Sequence, residues 1–308
     1  MILRNETKGR SLRVSVPVKR WGKQMILAMG YELRRALNRQ ASAPQPMVDD
    51  PIAAVHLARG SARVAFECPL EKVRDTQGFS FATHGWHPLV AAIHDRHRMR
   101  EDQYEGAVLQ RYFARFQPRT ALDAIPGFRA EEHCGLADLP PHLFHLTPWF
   151  SGSATQLDQD VRRWSGGDAA QHGLVDYDLD CHGVSYFGPA SQEVGEMEIK
   201  RLRSVCRALE AQGFDRGLGD CRFYLVRRDG DFRAIAFGGG RHRAAAMAAL
   251  GQRFVPAQFE PPIAVDVRDV AEWPQVRSGI WSEIDALNYV DHLFDFDSLA
   301  WARKRQLA

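Results

Sequence analysis

The sequence predicts an α+β chain whose strands gather in the C-terminal half, after a mainly helical N-terminal region. Three observations predict it. Two apolar runs, Arg222 to Arg227 and Phe232 to Phe237, flank Asp229-Gly230, a strong short-range hairpin signal. Three glycines, Gly238 to Gly240, then lead into the alanine-rich stretch Ala244 to Leu250, which favours helix and stops at Gly251, before extended structure resumes over Phe254 to Phe259. The first half instead carries apolar residues at helical spacing.

Taken in order, the first 40 residues hold ten Lys/Arg against two Glu, so the remainder is acidic although the whole chain carries only +2. Trp21 to Leu37 alternates apolar and basic residues at helical spacing, the pattern of a helix that lies on an anionic membrane surface or caps its own domain. It is too short and too charged to span a bilayer, and no signal-peptide pattern precedes it. Residues 40–51, with three prolines, read as a linker. Residues 1–40 are therefore expected to be a basic amphipathic segment, 52–165 a mainly helical accessory or substrate domain, and 175–300 a nucleotide-binding domain. A hydrophobic content of 45% is enough for a large core. The five cysteines form no CxxC motif, which suits a reducing cytoplasm and gives no zinc spacing.

In the middle region, Trp86 to Ile93 reads as a helix opened by Pro88, and Tyr104 to Phe116 as a second, stopped at Gln117-Pro118. His84, His87, Tyr104 and Gln117 place hydrogen-bonding groups beside aromatic faces, as sugar recognition requires, although aromatic stripes at this spacing also build cores. Trp149 and Trp164 bracket a Gly/Ser-rich passage read as an irregular connection, of the kind that forms a lid. Alternation in Asp176-Tyr-Asp178-Leu-Asp180 points three carboxylates to one side of an extended segment, as magnesium ligands or as a solvated face. Glu193 to Gln212 is an amphipathic helix with apolar Met197, Leu202, Val205 and Leu209. The segment Ala286 to Phe294 is a short terminal amphipathic helix.

The chemistry concentrates at Gly239, Gly240, Arg241, His242 and Arg243. Glycines let a backbone approach an anion, the first turn of a helix offers unpaired N–H groups, and the basic side chains add charge-assisted donors. Strand, turn, strand, then Gly-Gly-x-His-Arg, Ala-Ala, Leu-Gly and a Val-Pro strand resembles the ParB/sulfiredoxin superfamily over roughly residues 184–260. The resemblance implies a mixed-sheet domain whose glycine turn binds nucleotide phosphates, with the upstream helix lending Arg201 and Ser204. Arg241 stands where sulfiredoxins carry their reactive cysteine, so sulfinic acid reduction is not expected. The ParB partition proteins add a helix-turn-helix region, for which the chain after residue 262 has too little helical sequence, and the acidic body argues against nucleic acid.

Kinases of the same superfamily imply a third use: ATP or CTP with Mg2+ in the cradle, and a carboxylate from the upstream helix as base. Glu198 and Glu196 are the expected catalytic carboxylates, with Glu193 as a further candidate; Glu198 lies three residues from Arg201, on nearly the same helical face. The acidic neighbour such kinases place before the turn is here Gly239, which leaves the metal ligands open among Asp229, Asp231 and the aspartate run. The middle region resembles bacterial proteins encoded beside surface-polysaccharide assembly genes. The expected function is a nucleotide-dependent phosphotransferase acting on a hydroxyl of a small molecule or sugar precursor, with His87, Tyr104 and Gln117 on the acceptor. The alternatives are a non-catalytic nucleotide-binding scaffold or regulator in surface-polysaccharide assembly, and a ParB-like nucleic-acid binder. The expected location is cytoplasmic, peripheral to the inner membrane if the N-terminal helix engages it.

Overall fold

The computed structural model describes residues 47–60, 63–95, 103–132 and 134–308. The expected basic helix and residues 40–46 of the expected linker lie outside these. The strands are β1 (Met47–Val48), β2 (Ala65–Pro69), β3 (Val73–Arg74), β4 (Cys221–Arg228), β5 (Asp231–Ala236) and β6 (Phe254–Asp266). The helices are α1 (Pro51–Ala58), α2 (Pro88–His94), α3 (Val108–Arg115), α4 (Ala154–Gln171), α5 (Leu179–His182), α6 (Gln192–Gln212), α7 (Arg241–Ala249), α8 (Pro274–Arg277), α9 (Glu283–Asp295) and α10 (Ser298–Lys304), joined by short 3-10 turns.

One six-stranded mixed sheet runs in the order β1-β2-β6-β4-β5-β3. The hairpin forms where Asp229-Gly230 predicts it: both residues have positive φ, 51° and 83°, and Arg228 pairs with Asp231 across the turn. β6 runs parallel to β4 and antiparallel to β2, with Phe66 opposite Ala257. The register between β4 and β6 slips between Phe223 and Leu225, where β6 passes through Pro261-Pro262 and Ile263 takes a φ of 72°. Phe223 to Val226 are all buried, so β4 is covered on both faces.

This sheet corrects the expected division. The region read as mainly helical supplies β2 and β3, and residues 46–308 form one compact unit with no boundary between 165 and 175. Strands of only two and five residues carry little periodicity, so their pairing is set by β5 and β6. The passage read as an irregular lid is also different. α4 runs unbroken through Ser165-Gly166-Gly167, capped by Ser153, whose hydroxyl accepts from the Gln156 N–H at 3.1 Å. The aspartate run is not an extended face. Asp178 caps α5 and Asp180 pairs with Arg162 at 2.9 Å.

The aromatic stripes of the middle region are core. Phe79 sits among Trp86, Tyr112 and Trp301, with ring centroids 5.3, 5.9 and 5.1 Å away. α7 packs against α2 and α6, and its buried Ala244, Ala245 and Ala248 are small enough to let those helices come close.

Candidate functional site

The glycine turn closes the C-terminal end of β5 against the start of β4. Gly238 and Gly240 have φ of 87° and 102°, and a Cβ on Gly240 would lie 2.7 Å from the Cys221 Cα, so both the backbone angle and the close approach require glycine there. The Arg222 N–H donates to the Gly239 carbonyl at 2.8 Å and holds the turn on the sheet. α7 begins at once, with no side chain capping its first turn. Its leading N–H groups therefore face away from the helix at the positive end of the dipole. Gly238 and Gly239 are exposed, and over Gly239 nothing stands nearer than the Arg222 Cγ, 4.0 Å from a built Cβ.

The basic side chains do not converge on this mouth, contrary to expectation. His242 turns inward, its Nε2 2.5 Å from Glu198 Oε2. Arg241 stacks on Tyr186 at 3.8 Å and donates to Ser185 Oγ at 3.1 Å. Arg243 donates to the Gly219 carbonyl and lies over Phe214. Charge runs say nothing about which neighbour each side chain meets, and these neighbours lie 24 to 56 residues away.

Glu198 is fully buried on α6. Burial alone would raise its carboxyl, but His242, Arg201 and Arg241 reverse that and hold it down to about 2. Its Oε1 has no hydrogen-bond partner, and Arg201 stands 3.9 Å from it while donating to Asp168 Oδ2 at 2.6 Å. A carboxylate so enclosed cannot reach a substrate hydroxyl; it positions His242. Glu196 accepts from the Gln192 amide at 2.8 Å, and Ser204 is exposed one turn beyond Arg201.

The expected acceptor residues serve the fold. His87 Nδ1 caps α2 by accepting from the Leu89 N–H, which leaves its proton on Nε2, 3.4 Å from Asp75. Tyr104 covers Gly195, where any Cβ would run into the ring, and Gln117 donates to the Phe113 carbonyl. A cleft of about 780 Å³ does border His87 and Trp86, but beside Ala248 and Gly251. That is the far end of α7, about 13 Å from its first residue at the helical rise. Asp229 and Asp231 are likewise remote, at the other end of β5, and Asp231 is bound by Lys72 and Arg233. Among the described residues no three His, Cys, Asp or Glu side chains are grouped to hold a metal ion.

Two residues near the glycine turn are not among the site residues read from the sequence. Glu260, on β6, lies 3.5 Å from where a Gly238 Cβ would stand, half-buried, with Arg222 as its charged neighbour. Burial pushes its carboxyl up, partly offset by Arg222. Only the pairing of β4 with β6, which sets Phe223 beside Phe259, brings it to the turn. Trp164, on α4, meets Phe237 edge-on at 6.2 Å and is 44% exposed. Its helical spacing to Leu157, Val161 and Asp168 was in the sequence, hidden by the glycine pair that follows it. No family model, curated protein or solved structure matches the chain.

Proposed function

We propose that the protein binds the phosphates of ATP or CTP at the start of α7 and transfers a phosphoryl group to a hydroxyl of a small molecule or sugar precursor. The observation that carries the reading is the uncapped first turn of α7 behind two exposed glycines, in a turn that holds Gly238 and Gly240 at positive φ, an arrangement suited to phosphate oxygens. The resemblance of residues 184–260 to the ParB/sulfiredoxin superfamily supports it.

Phosphoryl transfer asks mainly for positioning and charge neutralisation. The backbone N–H groups of α7 take the phosphate, and Arg222 adds positive charge at the rim. Glu260, not Glu198 or Glu196, is the carboxylate placed to accept the acceptor's proton: it is close to Gly238 and partly desolvated. Mg2+, which binds through one or two carboxylates together with phosphate oxygens, would neutralise phosphate charge there.

A second reading, a non-catalytic nucleotide-binding regulator, is favoured by the inward locking of Glu198 on His242 and by the three basic side chains committed to protein groups. Calorimetric titration with ATP, CTP and tripolyphosphate, with and without Mg2+, tests the shared claim. Absence of binding by all three ends both readings. Release of nucleoside diphosphate across a panel of hydroxyl acceptors separates them. Glu260→Gln is expected to lower that release at least ~100-fold while leaving nucleotide affinity within about threefold. Binding without any release leaves the regulator.

A further inference from the structure

Trp164, on α4, is a large aromatic left partly exposed at the surface. A single exposed apolar residue is ordinary. What distinguishes this one is its company. It lies one turn before Asp168 on the same face of α4, and Asp168 is tied to Arg201 of α6 at 2.6 Å. That ion pair ties this face of α4 to α6. The ring meets Phe237, the residue that immediately precedes Gly238. Phe237 lies three residues before Gly240, so at most about 10 Å of chain separates its backbone from the last residue before α7, and Trp164 packs against the Phe237 ring, 6.2 Å from its centroid. The two rings meet at an angle of 84°, and Trp164 remains 44% exposed.

Resting on the phosphate reading above, we propose that Trp164 is the platform on which the base of the bound nucleotide stacks, so that the site takes a nucleoside phosphate in preference to bare phosphate. A planar base on an indole face recovers apolar contact for both. α4 lies upstream of the segment with superfamily resemblance, so this subsite is supplied by the part of the chain outside it. A purine covers more of the ring than a pyrimidine, which places ATP ahead of CTP.

The test is calorimetric titration of ATP, CTP and tripolyphosphate into the full chain, its Trp164→Ala variant and its Trp164→Phe variant. Trp164→Ala is expected to weaken ATP roughly 10-fold or more, within the span that one base stack contributes, and CTP by less. Tripolyphosphate affinity should not change, and phenylalanine should restore most of the ATP affinity. Equal ATP affinity in wild type and Trp164→Ala overturns the platform while the phosphate reading stands. Equal weakening of ATP and tripolyphosphate also overturns it, because the ring would then only shape the turn. If wild type binds none of the three, the phosphate reading falls and the platform with it.

Discussion

Gly240 shows how closely one residue can be specified. It needs left-handed backbone and cannot carry a side chain, because the Cys221 Cα stands where the Cβ would go. Gly240→Ala should therefore cost about 3 kcal/mol, read as a lower urea midpoint with an unchanged slope. That requirement was legible in the sequence, since a glycine run entering an alanine helix signals a tight turn held close to its neighbours. The fates of Arg241, His242 and Arg243 were not. A guanidinium or imidazole takes whichever partner the tertiary fold brings near, and here those partners are Tyr186, Glu198 and the Gly219 carbonyl. Glu198 and Arg201 were correctly placed on one helical face, yet the face turned out to look inward.

At the scale of elements, the hairpin, α6 and α7 were readable because local rules and packing agree. α6 runs from Gln192 to Gln212, one residue longer than the helix read from the sequence, with Ser191 capping it and Gly213 ending it. α4 is the opposite case. Gly166 and Gly167 argue against a helix, and the burial of Leu157, Val161 and Ala169 overrides them. Gly167 has nothing within 4 Å of a built Cβ and no unusual φ, so alanine there adds helix propensity without a clash. Gly167→Ala should stabilise the protein by about 0.7 kcal/mol in equilibrium unfolding, whereas a destabilisation would mean that the segment is not helical. β1 to β3 were unreadable locally, being short segments that become strands only by pairing.

Across the whole molecule, buried histidines make acid the natural denaturant. Burial, aided by Arg241, holds His145 down to about 3, and burial holds His292 down to about 4, both below the 6.5 of an unfolded histidine. Such groups contribute stability that is complete above pH 6.5 and is lost as pH falls towards the folded values, because the unfolded chain takes the protons. The two together should remove about 5 kcal/mol between roughly pH 7 and 4.5. His292 Nε2 lies 2.9 Å from the Gln77 carbonyl, so His292→Gln can keep a donor there while removing its share of the slope in thermal melts across that range.

The interleaved sheet also governs how the polypeptide is made. β2 is sewn to β6, about 190 residues later, and β3 to β5, about 160 residues later. On a ribosome adding on the order of 5 to 20 residues per second, Ala65–Pro69 must wait roughly 10 to 40 s before its partner emerges. The nascent chain thus carries an unfinished sheet edge through that interval, and only the arrival of β6 completes it.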